Sequence, residues 1–146
     1  MAVLQPGEAW RRIEERLGPL PEETIERRAA GGRVLTRRLE ARVDVPAADV
    51  SAMDGYALPG EVSPGESRPV SGAVAAGDPP GFELAPPAVA RIMTGAPLPV
   101  GADRVVPVEE TDAGRETVIF LRPSLAGQHV RRRGEILKIG DPLLAA

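Results

Sequence analysis

The sequence predicts an α+β fold, mostly β, in two domains, with a small β-barrel-like domain inserted into the other. Three observations carry this reading. One stretch near the N-terminus has helical apolar spacing, a tract dense in proline and glycine separates short apolar segments, and the charges are partitioned along the chain. Residues 1–42 hold nine Arg against seven Glu, residues 43–127 five Arg against twelve acids, and residues 128–146 four bases against two acids. Basic ends around an acidic middle follow naturally if the ends share one domain and the middle is a second domain set between them. The expected partition is 1–50 with 128–146 for the first domain and 51–127 for the insert.

After Pro6 and Gly7, the residues Ala9, Trp10, Ile13 and Leu17 recur on one helical face, with Arg11, Arg12, Glu14, Glu15 and Arg16 on the other. Gly18-Pro19 is the expected stop. The stripe is narrow and carries the chain's one Trp, which suits packing along another surface, a partner subunit being one candidate. Residues 26–35 predict a short helix broken at Gly31-Gly32. Leu39, Ala41, Val43 and Val45 then alternate with Glu40, Arg42 and Asp44, the period of a half-buried strand that Pro46 stops.

From Pro59 to Pro99 lie nine of the sixteen prolines, interleaved with Gly60, Gly65, Gly72, Gly77, Gly81 and Gly95, and no long helix survives that spacing. The apolar segments between the breaks, 70–74, 82–85, 88–93, 104–108 and 117–121, predict short strands joined by tight turns. The turns at 76–81 (AGDPPG) and 98–103 (LPVGAD) look alike but share no fixed period, so they do not make a repeat. A last alternating piece spans 130–140. Ending in GDPLLAA with neither a closing helix nor a polar tail, the sequence is expected to continue.

Composition narrows the chemistry. Aromatic residues are 3% of the chain, so the core is aliphatic and thin, with Trp10, Tyr56, Phe82 and Phe120 as isolated anchors. The absence of cysteine removes disulfides, thiolate nucleophiles and Cys-based zinc sites and fits a reducing compartment. One histidine, His129, cannot build a multi-His metal site and is assigned no role. No apolar run approaches the roughly 20 residues a membrane span needs, and no signal peptide is visible, so a cytoplasmic protein without a membrane partner is expected. A net charge of -3 argues against a nucleic-acid partner.

Two stretches hold more than a generic β-domain requires. In Ser51-Ala52-Met53-Asp54-Gly55-Tyr56-Ala57, Asp-Gly is a turn signal, and on composition Asp54 reads first as a turn residue. In Ile92-Met93-Thr94-Gly95-Ala96-Pro97-Leu98-Pro99, a Thr-Gly pair closing an apolar strand either ends a hairpin or holds an oxyanion through its hydroxyl and freed backbone N–H groups. The residues leave both alternatives open.

Taken in order, SAMDGYA, then IMTGAPLP with GAD and VVPVEE, then VRRRGE with a downstream GD, the chain resembles the MoeA-type molybdopterin molybdenumtransferases, relatives of the gephyrin E domain. The resemblance runs from Glu8 to Leu144. It implies an elongated domain built from both ends with a β-rich domain inserted, and a downstream α/β domain that binds most of the pterin and nucleotide. The activity it implies is an enzyme of molybdenum cofactor biosynthesis, a transferase that inserts molybdate into adenylated molybdopterin with magnesium. The reaction is expected in a homodimer, at a cleft between one subunit's α/β domain and the other's inserted β domain.

By motif match, Asp54 and Thr94 line that cleft as catalytic residues, Asp54 positioning magnesium or molybdate-bound water and Thr94 donating to an oxyanion. Ser51, Met53, Gly55 and Gly95 are expected to shape the cofactor-binding loops, glycine permitting close backbone approach. Glu109 matches a family acid but also reads as a solvated strand-end carboxylate. Arg131, Arg132 and Arg133 cannot form one patch on a strand, and pairing with carboxylates is the alternative. Family members commonly carry an acid where this chain has Ile136, which speaks against metal binding in that loop. The 146 residues by themselves are expected to be inactive. The competing reading is a non-catalytic dimerisation or scaffold module of gephyrin type.

Overall fold

The computed structural model describes residues 3–145, which fall into two compact units, 3–38 with 145 and Leu39–Leu144. The first holds helix α1, Pro6–Glu14. Proline suits its first turn because that N–H has no intrahelical partner. Glu8, near the positive end of the helix dipole, accepts from Arg11 and, at 2.8 Å, from Arg12. None of the α1 residues is buried, and Trp10 is 62% exposed, its indole donating to Glu14 at 2.6 Å. The helix stops at Glu14, short of Gly18-Pro19, and a looser turn carries the chain to Leu17. The expected helix at 26–35 is reduced to a single 3-10 turn, Arg27–Ala29.

In the second unit, β1 (Leu39–Glu40) pairs antiparallel with β9 (Pro142–Leu144), and β2 (Val50–Ser51) with β8 (Val130–Arg131). The remaining strands, β3 (Gly55–Leu58), β4 (Ser67–Val74), β5 (Val89–Ile92), β6 (Arg104–Pro107) and β7 (Thr117–Ile119), form one sheet in the order β6-β3-β5-β4-β7. Only β4 and β5 run parallel. With β6 and β7 at its edges the sheet is an open, curled half-barrel, and the expected α+β, mostly β fold class holds.

Both faces of this sheet are covered. Tyr56, Leu58, Val62, Val89, Val106, Val118 and Phe120 pack on one side, and Ala57, Val74, Leu84, Ala90, Ile92, Ala96 and Val105 on the other. Neighbours in one strand alternate between the two clusters, as the two-residue strand period requires. This is why every residue of β3 and β6 is buried, and why near-continuous rather than alternating burial marks these two strands.

Several expectations are corrected. Residues 82–85 are not a strand. Glu83 forms one isolated bridge to Val100, with Leu84 buried beside it and Phe82 packed against the second cluster. The alternating stretch 39–45 yields only β1 and a bridge from Val45 to Leu137, because Asp44 turns inward to accept from Ile139 N at 2.9 Å and Arg133 Nε at 2.6 Å. Arg132 likewise pairs with Asp49 at 2.7 Å, so the arginines serve carboxylates across the paired chain segments. Residues 130–140 contribute β8, the Leu137 bridge to Val45 and turns.

A buried cation sits at the start of β6. Arg104 has 4% of its side chain exposed and meets Asp103 twice, at 2.8 and 2.9 Å, while donating to Ser124 O at 3.2 Å. Its guanidinium holds the Asp103 carboxyl below the ordinary 3.8. Asp103→Ala strands the buried charge and is expected to cost about 2 kcal/mol in urea denaturation at neutral pH. Because the folded-state carboxyl is lowered, its contribution is complete above the unfolded-state value and lost as pH falls through the folded one. The gap between wild type and variant should therefore close on acidification below 3.8.

Candidate functional site

Two loops meet at one end of the sheet. Because β3 and β5 are antiparallel neighbours with Gly55 opposite Ile92, the residue entering β3 and those leaving β5 are brought side by side. Asp54 occupies the first position and Thr94 the second. Asp54 Oδ1 accepts from the Thr94 N–H at 2.7 Å and from the Thr94 hydroxyl at 2.8 Å. The sheet thus unites the two residues that the motifs single out, 40 positions apart in the chain.

The surrounding loops are fixed from below. Ser51, 1% exposed, accepts through its carbonyl from Gly95 N at 2.8 Å and donates its own N–H to Ala96 O at 2.9 Å. Its hydroxyl donates to Met53 O at 2.6 Å and accepts from Met53 N at 3.2 Å, closing the turn that presents Asp54. Ala96 N donates to Met93 O at 3.0 Å, closing a second turn with Thr94 and Gly95 at its centre. Gly95 has φ +81, which lets that turn form without a strained side chain. At Gly55 the constraint is different: an added Cβ would lie 2.0 Å from Val106 O, so the close approach there is to the backbone of β6. Met53, Asp54, Thr94 and Gly95 are all exposed, forming a rim.

The electrostatics follow from these bonds. The Thr94 N–H first and then its hydroxyl hold the Asp54 carboxyl below the usual carboxylate range against the opposing effect of burial, with a lesser lowering by the positive charge of Arg91. Asp54 is therefore ionised at neutral pH. Its Oδ2 accepts no hydrogen bond among the described residues. The Thr94 hydroxyl spends its proton on Asp54, so donating to an outside oxyanion requires that bond to open.

Asp54's carbonyl accepts from Val108 N at 3.0 Å, and this ties the rim to the 3-10 turn Val108–Glu110, where Glu109 is exposed. Among the described residues no group of three or more His, Cys, Asp or Glu side chains could hold a metal. A single fixed carboxylate with one open oxygen still suits magnesium, which keeps several waters and takes further ligands from substrate phosphates.

Sequence reasoning passed over Arg91. It is the charged residue within the otherwise apolar β5 and lies over the Tyr56 ring at 5.9 Å, with Tyr56 0% exposed. The signal was an arginine in an apolar strand two residues before the Met-Thr-Gly turn.

A family model described as MoeA N-terminal region (domain I and II) matches residues 4–146. This chain belongs to that family. The MoeA N-terminal region here is 42% identical over 76 residues, 52% of the chain, to molybdopterin molybdenumtransferase 2 of Mycobacterium tuberculosis. It is 45% identical over 78 residues, 53% of the chain, to molybdopterin molybdenumtransferase of Synechococcus elongatus. The matched part spans 19% of the length of each of these curated relatives. A solved structure of the molybdopterin biosynthesis MoeA protein from Pyrococcus horikoshii matches 81% of this chain and 32% of its own at TM-score 0.71 and 30% identity. A second matches 84% and 34% at TM-score 0.73 and 28% identity. The MoeA N-terminal fold is thereby shown. No helix among the described residues is long and apolar enough to cross a membrane.

Proposed function

We propose that this chain is the N-terminal part of a cytoplasmic molybdopterin molybdenumtransferase of molybdenum cofactor biosynthesis, and that it supplies one wall of the cleft in which molybdate is inserted into adenylated molybdopterin. The observation that carries the reading is the Asp54–Thr94 pair, an ionised carboxylate anchored by two donors and presented on an exposed rim. The names of the curated relatives support it. In this reading 1–50 and 128–146 form one domain around the inserted 51–127, which the pairing of β1 with β9 and β2 with β8 supports. Most of the pterin contacts belong to a downstream α/β domain, and the cleft is completed in a homodimer.

Asp54 holds the substrate side of the cleft through Oδ2 while Thr94 positions it through Oδ1. Magnesium, when bound, supplies positive charge beside the substrate phosphates, with Asp54 as its ligand from this chain. Ser51 and Met53 fix the approach of that carboxylate, and Gly95 shapes the opposite turn. Mixing the chain with a separately produced downstream domain and measuring magnesium-dependent molybdenum insertion tests the reading. Insertion is expected only with both parts present. Insertion by the downstream part at the same rate without this chain would overturn it.

A second reading, a dimerisation or scaffold module, is favoured by one specific observation. Trp10 and Ile13 of α1 are 62% and 48% exposed. If that face carries an assembly contact, Trp10→Asp with Ile13→Asp is expected to lower the sedimentation coefficient of a self-associated chain without lowering its Tm. An unchanged coefficient removes the reading.

A further inference from the structure

An open depression of about 600 Å³ lies against β4, lined by residues 70–73, Arg91, Gly114 and Arg115. Both charged residues in its lining are arginines, on an insert whose own count is five Arg against ten acids. Neither Arg91 nor Arg115 forms an ion pair among the described residues, whereas Arg104, Arg132 and Arg133 are matched to carboxylates. Arg91 is nevertheless held in place. It stacks over Tyr56 and approaches the Tyr56 hydroxyl at 3.5 Å, and that hydroxyl is itself anchored by donating to Gly114 O at 2.8 Å. One buried tyrosine therefore ties the β5 arginine to the loop that carries Arg115.

The floor is also unusual. Val70 pairs with Val89 and Gly72 with Ala90, so Ser71 is an extra residue in β4, a bulge that re-aims the strand beside the depression. β7 pairs only with Ser67–Pro69, which leaves β4 without a strand partner on that side beyond Val70. The two guanidinium groups are the charged donors of this lining, and no carboxylate is among its residues. Guanidinium geometry matches the oxygens of phosphate in a bidentate manner.

We propose that this depression is a phosphate-binding site of the chain, taking the phosphate group of a small organic molecule between Arg91 and Arg115. A bare tetrahedral oxyanion would fill little of about 600 Å³, whereas the space is within the range of pockets for small organic ligands. The assignment rests on this lining and not on the molybdenum reading, and it is tested by binding to the chain itself.

The chain, wild type and with Arg91→Gln, Arg115→Gln or, outside the lining, Arg122→Gln, is titrated with adenosine monophosphate, inorganic phosphate and molybdate. Amide chemical shifts are the readout. Saturable shifts of residues 70–73, 91, 114 and 115 with adenosine monophosphate are expected, weakened at least tenfold by Arg91→Gln and by Arg115→Gln and unchanged by Arg122→Gln. Stronger binding of adenosine monophosphate than of inorganic phosphate supports an organic phosphate, whereas saturation by molybdate or inorganic phosphate alone overturns that assignment in favour of a free oxyanion. No saturation by any of the three, or equal weakening by all three substitutions, overturns the site. Because insertion activity is not measured, failure here leaves the Asp54–Thr94 reading standing.

Discussion

Replacing Gly55 with alanine is expected to destabilise the chain by about 3 kcal/mol and to lower its Tm by roughly 10 °C, measured by circular dichroism on heating. The cause is backbone against backbone. A Cβ at this position would sit 2.0 Å from Val106 O and 2.9 Å from Pro107 Cα, and neither atom belongs to a side chain that can swing away. Relief requires β3 and β6 to separate where Gly55 opposes Pro107, at the buried start of β3 and next to Asp54. Gly60→Ala is the matched control. Nothing lies within 4 Å of its added Cβ, and only its φ of +69 opposes the change, so a cost of about 1 kcal/mol is expected. Equal melting temperatures for the two variants would mean that the strands yield more easily than this geometry allows.

Asp54→Asn is expected to lower magnesium-dependent molybdenum insertion about 100-fold in the mixed assay while leaving the fold intact. Asparagine keeps an oxygen that can accept from Thr94, so the substitution removes charge without removing the anchor. Insertion at the wild-type rate would end the proposed role. Thr94→Val removes the hydroxyl donor and keeps the N–H, and is expected to cost about tenfold through misplacement of the carboxylate.

The pH profile separates the two effects. Thr94 and Arg91 hold the Asp54 carboxyl below its ordinary 3.8, so in wild type its charge is complete above that value and fades only as pH falls through the lower one. Without the Thr94 hydroxyl the carboxyl moves back up, and the acidic limb of the profile should shift upward in Thr94→Val. A merely structural threonine would not move that limb.

Much of the architecture was legible because it rests on local rules. Pro6 before an apolar-periodic stretch marked the start of α1, and the prolines from 59 to 99 excluded long helices there, so the short apolar segments from 70 to 121 were expected as strands. Four of those five segments are strands of the sheet. The segment 82–85 failed because its apolar residues pack against the sheet without extending it. The strand β3 was missed for the opposite reason. Asp54-Gly55 is a turn signal at short range, yet Gly55 is glycine because β6, some fifty residues later, passes against it.

The candidate site divides in the same way. The motif residues Asp54 and Thr94 could be named from the sequence, since residue type and order carry the family resemblance. Their shared hydrogen bonds could not, because 40 residues separate them and only the antiparallel pairing of β3 with β5 makes them neighbours. The placement of Arg91 over Tyr56, and of Asp44 and Asp49 with Arg133 and Arg132, likewise depends on strands distant in the chain. The sequence by itself determined the chemistry available and the places where the backbone must turn, because those follow from side-chain volume, charge and φ preference. Which groups meet, which carboxylate keeps an open oxygen and which arginines lack a partner were decided by sheet register, a property of paired strands rather than of any one segment.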